Sequence, residues 1–200
     1  MNRVRVLSGD APIYTWAAIP TASTVNGQTV FVSDVGSGGS FWRSNGTDWF
    51  PVGGAVTLAA SGAAVANTGN TTENTVATVT IPAGIMGANG VIEVIPLWDF
   101  SNNSNTKTMK VKFGGGLVYS IATTTTTSCQ MMYIVRNANS ASAQIAQASS
   151  GSTGMGSVAS ALLTGAINTS AATTITLTAQ CNTSGSDTIT LHGYIVRLIK

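Results

Sequence analysis

The sequence predicts an all-β protein, a small N-terminal β-hairpin module followed by a jelly-roll-like antiparallel β-sandwich. Three observations lead there. Apolar residues recur at every second position, as in Met109, Val111, Phe113 and in Ile175, Leu177, Ala179, which is the period of a half-buried strand. Clusters of Gly, Ser, Asn and Pro punctuate these stretches at the short spacing of a sandwich or barrel. Only Ser157 to Ile167 is open to a helical reading, beside strand and loop, and no heptad run occurs, so an oligomer is expected to be held by the β domains themselves.

Residues 1–54 contain three of the four tryptophans, Trp16, Trp42 and Trp49, and end at Gly53-Gly54, after which Ala, Thr and Asn dominate. That shift divides the chain into a module, 1–54, and a sandwich, 55–200. In the module, Thr29 to Val35 has strand composition, Gly36 to Ser40 is a loop, and Phe41 to Phe50 is a hairpin around Asn45-Gly46. Asn-Gly favours a type I′ turn because both central residues need positive φ. A two-residue loop sets Ser44 opposite Thr47, Arg43 opposite Asp48, Trp42 opposite Trp49 and Phe41 opposite Phe50. The pleat then places the tryptophans on one face and the phenylalanines on the other. A module this short has little core to cover, so Trp16, Phe41, Trp42, Trp49 and Phe50 are expected to meet another domain, subunit or particle.

Beyond the boundary, strands are expected at Val76 to Ile81, Val91 to Trp98, Thr106 to Phe113, Leu117 to Ala122, Cys129 to Arg136, Ala143 to Ala148, Thr173 to Cys181 and Asp187 to Ile199. Val91 to Trp98 is apolar on both faces, as a sandwich-core strand is, although Pro96 lacks a ladder donor. Thr106 to Phe113 turns Met109, Val111 and Phe113 inward and Lys110 and Lys112 outward, with Gly114-Gly115-Gly116 closing a hairpin. Cys129 and Cys181 are in register with apolar neighbours and are expected to be two buried thiols.

Composition narrows the function classes. Only 8% of residues are charged and the formal net charge is +2, while 44% are hydrophobic. Mean hydropathy is +0.27. A chain of this kind folds, since disorder pairs low hydrophobicity with high charge. A neutral surface of hydroxyls and amides suits packing against copies of itself or a large partner, because few charges are desolvated at each contact. The basic residues form no stripe, so nucleic acid is not an expected partner. No apolar run approaches the ~20 residues of a membrane helix, and no signal-peptide core follows Met1, so a product without a cleaved leader is expected.

Groups that move protons are scarce. His192 is the one histidine, and a Ser186, Asp187, His192 triad would lack both nucleophile elbow and oxyanion loop. Glycosidase chemistry needs two carboxylates about 5 to 9.5 Å apart. Of the seven present, Asp48 is assigned to Arg43, and Glu93, inside an apolar strand, to an intersubunit partner or to a lysine such as Lys110 or Lys112. Asp99, Ser101, Asn103 and Asn105 place oxygens at alternate positions, but Lys110 stands where a calcium loop needs its bidentate Glu. The Gly-rich runs lack a phosphate-loop lysine. No catalytic residue, no metal and no cofactor are expected.

Thr15-Trp-Ala-Ala-Ile-Pro20, Val32-Ser-Asp-Val-Gly36 and Gly39-Ser-Phe-Trp-Arg-Ser-Asn-Gly-Thr-Asp-Trp-Phe-Pro-Val-Gly-Gly54 together resemble the N-terminal region of tailed-bacteriophage fibre, spike and head-decoration proteins. The resemblance covers about a quarter of the chain. It implies a virion-attachment module, a trimeric β-rich domain projecting outward, and assembly in the host bacterial cytoplasm. The expected function is that of a virion structural protein, a short fibre or spike-type appendage anchored to capsid, portal or tail by its N-terminal module. The alternatives are a capsid decoration protein and a receptor-binding tip that takes host surface glycan through Trp98, Asn102, Asn103 and Tyr119.

Overall fold

A computed structural model of the chain describes residues 11–148, 157–183 and 185–200. In chain order the strands are β1 (Ile13–Tyr14), β2 (Thr29–Val32), β3 (Ser40–Ser44), β4 (Trp49–Pro51), β5 (Ala55–Ser61), β6 (Val65–Thr68), β7 (Asn74–Ile81) and β8 (Val91–Phe100). They continue as β9 (Lys107–Phe113), β10 (Leu117–Thr123), β11 (Ser128–Gln130), β12 (Tyr133–Asn137), β13 (Gln144–Ala146), β14 (Leu163–Gly165), β15 (Thr173–Cys181) and β16 (Thr188–Ile199). Two single 3-10 turns, Trp16–Ala18 and Ala22–Thr24, complete the regular structure among the described residues.

The first four strands form a sheet in the order β1-β2-β3-β4, with β1 parallel to β2 and the rest antiparallel. The sandwich has a four-stranded sheet, β10-β9-β15-β7, and an eight-stranded one, β14-β13-β12-β8-β16-β5, with β11 also on β8 and β6 on β16. The expected all-β sandwich is therefore present. Within it β9 and β10 form a hairpin in one sheet, and β12, β13 and β14 form a meander in the other.

Alternation settles which face each strand buries. Met109, Val111 and Phe113 of β9, Ile175, Leu177 and Ala179 of β15, and Ile92, Val94 and Trp98 of β8 are all buried. Pro96 lies within β8 and faces Met131, whose N–H donates to Pro96 O at 3.2 Å. In such an antiparallel pair the two residues normally exchange both bonds, and proline cannot return one. The Cys129 to Arg136 strand is accordingly split into β11 and β12 at this point, with the register on β8 unchanged on either side.

Two strand expectations need correction. The hairpin register is not the predicted one: Trp42 faces Pro51, Arg43 faces Phe50 and Ser44 faces Trp49. Asn45 Oδ1 accepts from the N–H groups of Thr47 (2.9 Å) and Asp48 (2.8 Å), and Asn45 N donates to Asp48 O at 3.1 Å. This side-chain turn extends the loop to Asn45 through Asp48, with Gly46 at φ +86°. The slip preserves parity, so Trp42 and Trp49 still share one face. The second correction is Cys129, which is only half-buried, whereas Cys181 is fully enclosed; both thiols are free.

Candidate functional site

The inner face of the module is closed against the sandwich by its tryptophans. Trp42 and Trp49 are buried, and Trp16 stacks at a tilt on Trp42 with ring centroids 4.8 Å apart. Each indole N–H is satisfied: Trp16 donates to Ala83 O of the sandwich, Trp42 to Ser40 Oγ and Trp49 to Pro20 O, each at 2.8 Å. Lys200 completes the joint. Its Nζ donates to Trp49 O at 2.8 Å, pairs with Asp48 Oδ2 at 2.7 Å and lies 5.4 Å from the centre of the Phe50 ring. Burial pulls the Lys200 pKa down, and the hydrogen bond and charge of Asp48 pull the other way. Asp48 therefore pairs with Lys200 and not with Arg43, because the four-residue loop carries it away from its predicted neighbour.

Of the five aromatic residues expected to dock, then, Trp42 and Trp49 lie inside the chain, and Trp16 reaches across to the sandwich. The outer face of the module is what remains for a partner. Ile13 pairs with Phe31, Phe31 pairs with Phe41, and Val52 N donates to Phe41 O at 2.8 Å. Cross-strand partners point to the same side, so Ile13, Phe31 and Phe41 form one apolar row across β1, β2 and β3, which Val52, directly after β4, continues. Ile13 is 70% exposed, Val52 58% and Phe41 42%. The Phe31 and Phe41 rings meet edge to face at 5.1 Å. Beside the row is a shallow depression of about 410 Å³ lined by Asn26, Gly27, Arg43, Ser44, Asn45 and Phe50.

The glycan candidates do not come together. Trp98 and Tyr119 are core residues, so neither presents a ring to a ligand. Asn102 is exposed. Asn103 belongs to a polar cluster inside the sandwich, centred on Lys107. Lys107 is fully buried, and its Nζ donates to Asn103 Oδ1 and Asn105 O, both at 2.7 Å. Asn103 Nδ2 donates to Asp187 Oδ1 at 2.5 Å, and Thr183 Oγ1 to Asp187 Oδ2 at 2.6 Å. Hydrogen bonds from Thr183 and Asn103 lower the Asp187 pKa. The loop that resembled a calcium site thus directs Asn103 and Asn105 onto an ammonium of its own chain. Lys107 shares the inward parity of Met109, which places it apart from Lys110 and Lys112.

The remaining carboxylates among the described residues are also engaged. Glu93 pairs with Arg197 on β16 at 3.4 Å, because β8 faces β16 and lies in the other sheet from the lysines of β9. Lys110 (2.7 Å) and Lys112 instead converge on Glu73, and Thr178 Oγ1 donates to the same carboxylate at 2.7 Å. Burial raises the Glu73 pKa, but the hydrogen bonds from Lys110, Lys112 and Thr178 outweigh it and bring the group to about 2. Asp34 accepts from Trp16 N at 2.7 Å. His192 lies 3.7 Å from Asp99 on the exposed surface, while Asp187 is buried with Thr183 and Asn103, so Asp187 and His192 of the imagined triad have separate partners. Among the described residues no three His, Cys, Asp or Glu side chains gather at one point, and no helix is long and apolar enough to cross a membrane. No family model, curated protein or solved structure matches the chain.

Proposed function

We propose that the chain is a bacteriophage virion structural protein, a short fibre or spike-type appendage that attaches to the particle through its N-terminal module. The row Ile13, Phe31, Phe41, Val52, half-buried at Phe31 and exposed at the other three, carries this reading. An apolar row across a sheet that has already closed its other face is a surface in want of a partner, and it lies in the segment that resembles virion-attachment modules. The low charge of the chain supports the same reading, since a neutral surface is inexpensive to bury in an assembly. The role is non-catalytic, consistent with carboxylates tied to lysine, arginine, hydroxyl or amide partners. The sandwich is the outward part and trimerises; other virion proteins are the partners of the module.

The test is incorporation. Particles purified from cells producing the wild-type chain should contain it, and an Ile13→Ser, Phe41→Ser, Val52→Ser variant should fold normally yet stay in the soluble lysate. A folded variant that enters particles as well as wild type sinks the docking role of the row. Antibody labelling of particles separates an appendage, marked at one vertex or on the tail, from a decoration protein, marked over the whole head. Light scattering gives the oligomer, and a strictly monomeric chain at micromolar concentration removes the trimer.

A further inference from the structure

The two outer faces of the sandwich differ in chemistry. On the four-stranded sheet the outward residues of the central strands β9 and β15 include Thr108, Lys110, Lys112, Thr174, Thr176 and Gln180, the polar exterior of a sheet that meets water on one side. On the eight-stranded sheet the outward residues include Ile95 and Leu97 of β8, Ile195 and Ile199 of β16 and Ile134 of β12. Leu97 is 44% exposed, and Ile95, Ile134 and Ile195 stand outside the hydrophobic core. The module is joined to the sandwich through Ala83 and Lys200, beyond the ends of β8 and β16. Ten residues of β8 at about 3.4 Å each, across four adjacent strands about 4.8 Å apart, outline a face of roughly 600 Å², comparable with the ~800 Å² per partner that a stable interface buries.

The polar residues of this face are arranged in levels, with the acids on β8 and the bases on β16. Glu93 faces Arg197 across the ladder at 3.4 Å, and Asp99 lies 3.7 Å from His192. Between these levels Ile95 faces Ile195. We propose that a second copy of the chain packs on this face, β8 of one copy lying over β16 of the next about a rotation axis parallel to the strands. Such an axis keeps every residue at its own level. Glu93 then meets Arg197 of the partner subunit, Ile95 meets Ile195 of the partner subunit, and Asp99 meets His192 of the partner subunit. No like charges are opposed, and the isoleucines leave water together. An unrelated partner would have to reproduce this order of levels, whereas a copy supplies it by construction. The proposal rests on the reading that the sandwich self-associates and names the surface through which it does so, leaving the row on the module free for another protein.

Sedimentation velocity of the full wild-type chain at micromolar concentration tests this and should show a dimer or trimer. Leu97→Arg, at a position already partly in water, should melt as wild type does yet sediment as a monomer, while Thr176→Arg on the other outer face should leave the oligomer intact. Charge variants read the pairing itself. Glu93→Arg makes the facing positions of both strands basic and Arg197→Glu makes them acidic, so each folded variant alone should lose association. An equimolar mixture should regain it, although the like charges within each chain persist. An oligomer that survives Leu97→Arg, or folded charge variants that stay apart on mixing, overturns this face and leaves self-association through another surface. A monomeric wild-type chain overturns the trimer as well and gives the face to a partner of another sequence. The virion role is decided separately, by incorporation into particles.

Discussion

The module and the sandwich are both β-structures closed by tryptophan, but they close in different ways. In the sandwich two sheets face each other and share a core of aliphatic and aromatic side chains. Packing there is sufficient to hold polar atoms without partners: Trp98 Nε1 and Tyr133 Oη are buried and unbonded. The module has one small sheet and no second layer of its own. Its indole N–H groups each find an acceptor, and one acceptor, Ala83 O, belongs to the sandwich. The module holds an orphaned atom too, Gln28 Oε1, but it differs from the two-layer body in depending on a directed polar contact to its neighbour, from Trp16 to Ala83 O.

The most severe way to break this relation is Trp42→Ala, which empties the centre of the joint. Loss of a buried Trp costs about 3 to 5 kcal/mol, and the module should melt before the sandwich, seen as a separate early transition in denaturant and as protease cleavage confined to residues 11–54. Lys200→Ala comes next. It removes a buried stem and leaves Asp48 without its cation, so a loss of about 2 kcal/mol is expected, again with selective exposure of the module.

The pH prediction addresses the sandwich alone. The Glu73 pKa is about 2 in the folded chain, against 4.5 for the unperturbed group. A carboxylate depressed by folding stabilises above its unfolded pKa, and that contribution fades as pH falls from about 4.5 toward 2. About 2 kcal/mol should disappear across this window, given partial exposure to solvent. Glu73→Gln should be less stable at neutral pH and show a flatter acid limb in thermal melts. Tyr133→Phe tests the tolerance for orphaned groups. Removing a buried hydroxyl with no partner should leave stability unchanged or raise it by about 1 kcal/mol, whereas Trp49→Phe, which loses the bond to Pro20 O, should lower it. Smallest of all, Phe41→Ser should move stability by no more than about 0.5 kcal/mol, with its effect confined to binding.

Much of the sandwich was legible because a period of two conveys parity. Thr173–Cys181 and the inward residues of β9 follow directly from alternation. Parity survives even in the hairpin, where the register itself slipped because Asn45 builds a longer turn than its neighbour glycine suggests. β5 was not legible: Ala-Val-Thr-Leu-Ala-Ala-Ser has little strand propensity and is held by its pairing with β16. The joint was half legible. Three tryptophans in 54 residues announced a contact surface, but whether it faces outward or back onto the chain depends on Ala83 and Lys200, far along the sequence. Lys107 shares the inward parity of Met109 on β9, but the partners that make a buried lysine possible include Asp187, far along the chain, which alternation alone does not bring to it.

Strand β16 pairs with β5, β6 and β8, whose paired residues precede their partners by 89 (Phe100 to Ile189) to 144 (Ala55 to Ile199) positions. Contacts across such separations are slow to form, because loop closure precedes any reward. During synthesis the eight-stranded sheet must wait for its central member, and β8 and β5 meanwhile present open edges to one another and to other chains. The module waits as well, since the lysine that pins Asp48 and Trp49 follows directly on β16. The expected consequence is an order of folding in which the module, although it is made before the sandwich, is locked after it.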